Sequence, residues 1–271
     1  IGDGLNNNAQ EAFNKGKELE AVGDYEQARK YYLQALDLDA LRFRTDSKLR
    51  KITLDAALHA KGDIETIDAQ AELDKMSPNG ISGHEYFFEH VHFTFRGNYN
   101  ISLLFAERIA KSLERDGIFP KGDWPSMESC VKSLAYTNWD KQLVFSIIEK
   151  RIQQPPFNQR SDNDSNLIRL REELSKLSKD TDYNEYIKTY NTAVKSNPFD
   201  WRFWQRQALL YSEIGYDDKS LQSIEQALNI LPRNAILNYQ YAAILNKCGR
   251  FNDAILASSR ALNYKPDFLS L

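Results

Sequence analysis

The sequence predicts a mostly α-helical fold, with a solenoid of helical hairpins in the C-terminal third and a small, partial α/β segment before it. The solenoid is predicted by a repeat, because three residue types recur at one interval of 34 positions. The pairs are Gly215 and Gly249, Ala227 and Ala261, and Pro232 and Pro266. The same step backwards leads from Ala227 to Ala193 and from Pro232 to Pro198.

Each repeat has the pattern of two amphipathic helices joined by a tight turn. Residues 201–214 place apolar side chains at helical spacing, and Gly215 follows where a left-handed turn would end that helix. A second amphipathic stretch then leads to Pro232, which cannot continue a helix. Small residues at positions 208 and 227 would let the two helices approach closely.

These residues resemble the tetratricopeptide repeat family. The first repeat carries the family's pattern in Trp204, Ala208, Tyr211, Gly215, Ala227 and Pro232. The next repeat carries it in Tyr239, Ala242, Gly249, Ala254, Ala261 and Pro266. A degenerate repeat upstream contains Leu170, Leu177, Tyr183, Tyr190, Ala193 and Pro198. We therefore predict a stack of about three repeats over residues 166–271.

The pattern of the N-terminal sequence predicts a further hairpin of the same type over residues 1–40. The matching residues are Gly16, Leu19, Gly23, Tyr25, Ala28, Tyr32 and Ala35. A solitary hairpin cannot bury its own apolar face, so we expect it to pack on the segment that follows.

The intervening sequence lacks the repeat and predicts mixed structure. We expect a helix over residues 47–59, a short strand over 64–68, and a helix over 101–109. We assign residues 41–115 to a partial α/β segment and residues 116–165 to a helical linker.

A catalytic pair is suggested by Glu89 and His92, which are followed by Phe-Thr, Gly97 and a helix. This block resembles the last conserved block of SGNH (GDSL-like) hydrolases. The resemblance implies that Glu89 orients His92 and that His92 is the general base for a Ser nucleophile. The Gly-Asp-Ser block of that family is absent, because Gly4 stands at the Ser position.

A metal site at the same histidines is a weaker hypothesis. His90 and His92 could share a metal on an extended segment, but the sequence offers no third or fourth ligand at a recognisable spacing. We predict no metal and no cofactor.

The predicted partner is a protein or a peptide. The formal charge of −3, with 35 basic and 38 acidic residues, gives no basic stripe for nucleic acid. No apolar run suggests contact with a membrane, and the compartment stays open. The residues that we expect to face a bound peptide are Arg202, Gln205, Arg206, Leu209, Tyr239, Gln240, Ala243 and Asn246.

Two functions follow from these patterns. The first is a protein-interaction scaffold, which we expect to be a fragment of a larger protein. The second is the C-terminal portion of an SGNH-like esterase or acyl-transfer enzyme that carries Glu89 and His92.

Overall fold

A computed structural model describes residues 8–40, 44–62, 64–119, 121–160 and 162–267. These residues form thirteen α-helices. In chain order they are α1 (Ala9–Ala21), α2 (Tyr25–Asp37), α3 (Ser47–His59), α4 (Ala69–Met76), α5 (Phe95–Arg115), α6 (Met127–Ser133), α7 (Asn138–Ile152), α8 (Asn163–Lys179), α9 (Tyr183–Ser196), α10 (Trp201–Glu213), α11 (Asp217–Ile230), α12 (Ala235–Lys247) and α13 (Phe251–Tyr264). The predicted mostly helical fold with a hairpin solenoid is confirmed.

The chain divides into two compact units. The first contains residues 1–127 and 145–172, and the second contains residues 128–144 and 173–271. Helices α7 and α8 therefore each contribute to both units. The predicted boundaries at residues 40, 115 and 165 stay predictions.

The first unit begins with the α1/α2 hairpin. Asn8 and Asp24 accept hydrogen bonds from the backbone N–H groups of Glu11 and Gln27, which caps both helices. Ala12 and Ala28 are fully buried where the two helices approach each other.

The expected small α/β segment is not supported. The part of the chain that the structure describes contains no strand, and only an isolated antiparallel bridge joins Phe87 to Phe93. The strand expected at 64–68 has no neighbouring strand to pair with. Its last residue, Asp68, instead caps α4 through the N–H of Ala71 and binds the Arg50 guanidinium. The predicted helix at 101–109 lies within the longer α5.

In the second unit, α10/α11 and α12/α13 are two hairpins with the same construction. Gly215 and Gly249 end the first helix of each with φ of 79° and 75°, the left-handed region that favours glycine. The next backbone N–H in each hairpin, that of Tyr216 or Arg250, donates to a carbonyl five residues earlier, at 2.8 Å and 2.9 Å. The 34-residue period therefore has a direct counterpart in backbone geometry.

The beginning of α7 lies against the repeats of the second unit. Ala135 and Trp139 are buried in one apolar cluster with Tyr190 of α9 and with Phe203 and Leu210 of α10. This short segment therefore packs against both α9 and α10.

No helix among the described residues combines the length and the apolar character needed to cross a bilayer.

Candidate functional site

The first helices of the two C-terminal hairpins present neighbouring side chains on one face. The Gln205 side-chain amide donates to the Gln240 side-chain carbonyl at 2.8 Å and so joins α10 to α12. The Arg202 side chain is 67% exposed and Tyr239 is 48% exposed. We call the set Arg202, Gln205, Tyr239, Gln240, Ala243 and Asn246 the α10–α12 face.

Two other residues predicted for this face contact the beginning of α7. The Arg206 guanidinium lies 3.5 Å from Asp140 Oδ1, and Leu209 packs against the cluster that contains Trp139. The structure therefore brings together most of the predicted partner-binding residues but places Arg206 and Leu209 beside the beginning of α7.

Asp140 organises that contact although its side chain is 5% exposed. Its Oδ2 accepts hydrogen bonds from the Tyr190 hydroxyl at 2.6 Å and from the Thr137 N–H and hydroxyl, each at 2.8 Å. Burial, followed by the adjacent Asp140 carboxylate, raises the pKa of Tyr190. The same two causes, with burial the larger, raise the pKa of Tyr136 to about 12. Both tyrosine hydroxyls are therefore protonated and uncharged near pH 7.

This role of Asp140 was not predicted from the sequence, although a local signal was present. Thr137 and Asp140 form a reciprocal cap at the start of α7, since the Asp140 N–H also donates to the Thr137 hydroxyl at 3.3 Å. A Thr followed three residues later by an acid, just before an apolar run, indicates such a helix start. It does not indicate that the acid also meets Tyr190 and Arg206.

A second site lies in the first unit, in the loop before α5. Glu89 Oε1 contacts His92 Nδ1, and Glu89 Oε2 contacts His90 Nδ1. Glu89 also accepts from the backbone N–H groups of Val91 at 3.1 Å and His92 at 3.0 Å. Glu89 and His92 were predicted as a pair from the sequence, and the structure brings them into direct contact.

Burial differs sharply within this group. The Glu89 and His90 side chains are 3% and 5% exposed, whereas the His92 side chain is 45% exposed. Burial opposes ionisation of Glu89, but hydrogen bonds from His90 and His92 outweigh it and hold the pKa of the carboxyl well below its usual value. The result is a buried, ionised carboxylate that orients a solvent-accessible imidazole.

The loop is held in place by a close approach at the start of α5. Thr94 caps the helix by accepting from the Gly97 N–H at 3.1 Å, and the Thr94 N–H donates to the Tyr86 carbonyl at 2.8 Å. A Cβ atom at Gly97 would lie 2.4 Å from that same carbonyl oxygen. Only glycine fits here, which explains its position in the block that contains Glu89 and His92.

Metal ligands do not converge at either site. Over the described ranges, no three His, Cys, Asp or Glu side chains form a group that could hold an ion.

Comparison with known families identifies the repeat. A family model described as tetratricopeptide repeat matches residues 5–40 and 202–234. No curated protein matches the sequence.

Several solved structures are distantly similar to the chain. Two crystal forms of MamA AMB-1 are 13% and 14% identical to it, each with a TM-score of 0.31. The matches cover 96% and 95% of this chain and 92% and 99% of those chains. The TPR2AB-domain:pHSP90 complex of yeast Sti1 is 12% identical, with a TM-score of 0.31, and covers 97% of this chain and 92% of that chain.

The assignment of repeats depends on the two matched segments and on the shared hairpin geometry, not on these distant similarities. The matched segments coincide with the α1/α2 hairpin and the α10/α11 hairpin. The chain therefore contains tetratricopeptide repeats.

Proposed function

We propose that this chain is a protein-interaction module that holds a peptide or a partner protein on the α10–α12 face. The observation that carries the proposal is the hydrogen bond between Gln205 and Gln240, which makes one continuous surface from the first helices of two consecutive repeats. The opposite sides of these helices are buried against α11 and α13, so the α10–α12 face is the side left to a ligand.

The chemistry of the face favours an extended peptide with an acidic residue and an aromatic or aliphatic residue. Arg202 stacks on the Trp201 ring at 4.9 Å and lies 3.6 Å from Asp200, which orients its exposed guanidinium. A guanidinium binds carboxylates through paired hydrogen bonds. Tyr239 offers an exposed ring for apolar contact, and the amides of Gln240 and Asn246 can bond a peptide backbone.

A peptide-display selection tests this proposal. Random dodecapeptides would be selected on the protein, and the affinity of the enriched sequences would be measured by fluorescence anisotropy. We expect acidic residues to be enriched, and we expect Arg202→Glu and Tyr239→Ala each to weaken binding about tenfold or more.

Lys195→Glu is the matched control, because it makes the same charge change at an exposed position of α9. It should leave the affinity unchanged. Peptides whose affinity responds equally to Lys195→Glu and Arg202→Glu would contradict a site on the α10–α12 face.

A second candidate function is supported by the contact between Glu89 and His92. A buried carboxylate on Nδ1 would fix the imidazole tautomer and leave Nε2 to accept a proton, as the resemblance to SGNH hydrolases implies. The sequence has no Gly-Asp-Ser block, so the nucleophile would have to come from another Ser or from another chain.

Hydrolysis of p-nitrophenyl acetate tests this second function. We expect His92→Ala and Glu89→Gln to abolish any activity above the buffer rate, while His59→Ala, at an exposed histidine of α3, leaves it unchanged. Equal rates in all four proteins would argue against the hydrolase hypothesis for this chain.

A further inference from the structure

The imidazole of His92 has one nitrogen held by the protein and one nitrogen open to solvent. Its Nδ1 contacts the Glu89 carboxylate, and the His92 side chain is 45% exposed. Over the described ranges, the structure gives Nε2 no hydrogen-bond partner. Because the carboxylate keeps the proton on Nδ1, the neutral ring presents the Nε2 lone pair to solvent. A lone pair in this position is a base and also a nucleophile.

The Glu89 carboxylate is placed to balance a positive charge on this ring. Its side chain is 3% exposed. Hydrogen bonds from the backbone N–H groups of Val91 and His92, at 3.1 Å and 3.0 Å, fix its position. Attack through Nε2 puts a positive charge on the imidazole. A negative charge already fixed beside Nδ1 stabilises that charge without rearrangement of the loop.

Two neighbouring hydroxyl groups are engaged elsewhere. The Thr94 hydroxyl donates to the Glu85 carbonyl at 2.9 Å, and the Ser82 hydroxyl donates to the Asp74 carboxylate. No hydroxyl in the described part of the chain donates a hydrogen bond to the His92 ring. The geometry therefore favours a role for Nε2 that does not pass through a serine.

We propose that His92 Nε2 is itself a nucleophile and accepts the acyl group of an aryl ester or a thioester. This inference rests on the second function proposed above, and it assigns the nucleophile to the imidazole instead of to a serine. Nε2 forms a bond to the acyl carbon, the bond from that carbon to the leaving oxygen or sulfur breaks, and a phenolate or thiolate leaves. Glu89 balances the charge of the acylimidazolium. Water then attacks the acyl carbon, which releases the carboxylic acid and a proton and restores the imidazole.

His59 provides a matched comparison within the same chain. It is also exposed, and its Nδ1 lies 2.7 Å from the backbone carbonyl oxygen of Asp55, a neutral group. Both rings therefore have Nδ1 on an oxygen atom, but at His92 that oxygen belongs to a carboxylate. A difference in reactivity between the two histidines reports the effect of the Glu89 charge.

The probe is p-nitrophenyl trimethylacetate, because its bulky acyl group leaves an imidazole slowly. The intact chain would be mixed with it at pH 7, and release of p-nitrophenolate would be followed together with the ultraviolet absorbance of an acylimidazole. We expect one acyl group per chain, and the same initial rate in ordinary and heavy water because no proton moves in the attack.

The variants separate the roles of the residues. His92→Ala should abolish the acylimidazole, and His59→Ala should leave it unchanged. Glu89→Gln keeps the size of the side chain but removes its charge, and it should slow the reaction about tenfold or more. Circular dichroism of each variant would verify that it is folded.

Three results would overturn the proposal. They are an acyl group found on a serine by mass spectrometry, an initial rate that is lower in heavy water, and equal acylation of His59. The first two results would leave the hydrolase function in place, because His92 would then act as a general base for another nucleophile. Release of p-nitrophenolate that His92→Ala does not change would refute both the inference and that function.

Discussion

Removal of the Asp140 carboxylate should destabilise the second unit strongly, and its coupling to Tyr190 should be measurable. Asp140→Ala leaves the Tyr190 hydroxyl and the Thr137 N–H buried without their acceptor. A buried donor without a partner costs about 1–3 kcal/mol. The variant no longer has to bury a carboxylate, and this offsets part of the cost. We therefore expect the free energy of unfolding to fall by about 3 kcal/mol.

Tyr190→Phe should cost less, about 1–1.5 kcal/mol, because Asp140 keeps both hydrogen bonds from Thr137. The double variant Asp140→Ala/Tyr190→Phe should cost less than the sum of the single variants. We expect the double-mutant cycle to give a coupling of about 1–1.5 kcal/mol between the two side chains.

Urea unfolding at pH 7, followed by tryptophan fluorescence, is the assay. Trp139, Trp201 and Trp204 all belong to the second unit, so the signal reports mainly its unfolding. Tyr183→Phe is the control, because its hydroxyl bonds Glu213 at the surface, and it should cost less than about 0.5 kcal/mol. A coupling energy below about 0.3 kcal/mol would refute the buried network at Asp140.

Three further predictions concern single positions, each measured by urea unfolding followed by circular dichroism. Gly97→Ala should destabilise the first unit by about 3 kcal/mol or abolish its folding, because the new methyl group meets a backbone oxygen at 2.4 Å. Gly215→Ala should cost only about 1–2 kcal/mol, because its Cβ would meet open space and only the positive φ is unfavourable. Equal losses at these two glycines would contradict the close approach. For Glu89, the lowered pKa means that its ionised form stabilises the native state above the usual value of 4.5. This stability is lost as pH falls from 4.5 through the lowered pKa of Glu89. The difference in free energy of unfolding between the native protein and Glu89→Gln should therefore shrink below pH 4.5. A difference that does not change with pH would contradict the pairing of Glu89 with the two histidines.

The repeats could be predicted from sequence because their determinants are local. Gly215 and Gly249 follow the ends of α10 and α12, the first helices of the two C-terminal hairpins. Asp200 and Asn234 cap the starts of the same two helices, and Asn234 accepts from a backbone N–H at 3.0 Å. Each of these positions is fixed by turn and cap chemistry that recurs every 34 residues. The helices α10–α13 follow from that chemistry without any knowledge of their tertiary contacts.

The prediction of a strand at 64–68 was wrong. Apolar residues alternate over this short run, but a strand also needs a neighbouring strand to pair with, and alternation does not supply one. Arg50 and the cap of α4 decide the structure at Asp68 instead, and both are contacts that alternation cannot reveal. The contact between Glu89 and His92 was predictable for the opposite reason. The two residues are three positions apart, and the Glu89 carboxylate also accepts hydrogen bonds from the backbone N–H groups of Val91 and His92.

The contrast between Arg202 and Arg206 defines what a partner can reach. Helical spacing predicts that both lie on one face of α10, but it cannot predict that the buried Asp140 carboxylate lies 3.5 Å from Arg206. The Arg206 side chain is 40% exposed, and its charge is already partly balanced by Asp140, which is buried and held by Tyr190 and Thr137. The Arg202 side chain is 67% exposed, and its carboxylate neighbour, Asp200, is itself 36% exposed. An acidic partner should therefore be recognised mainly at Arg202, and exchange of the charge there should change specificity while Arg206 keeps its contact with Asp140.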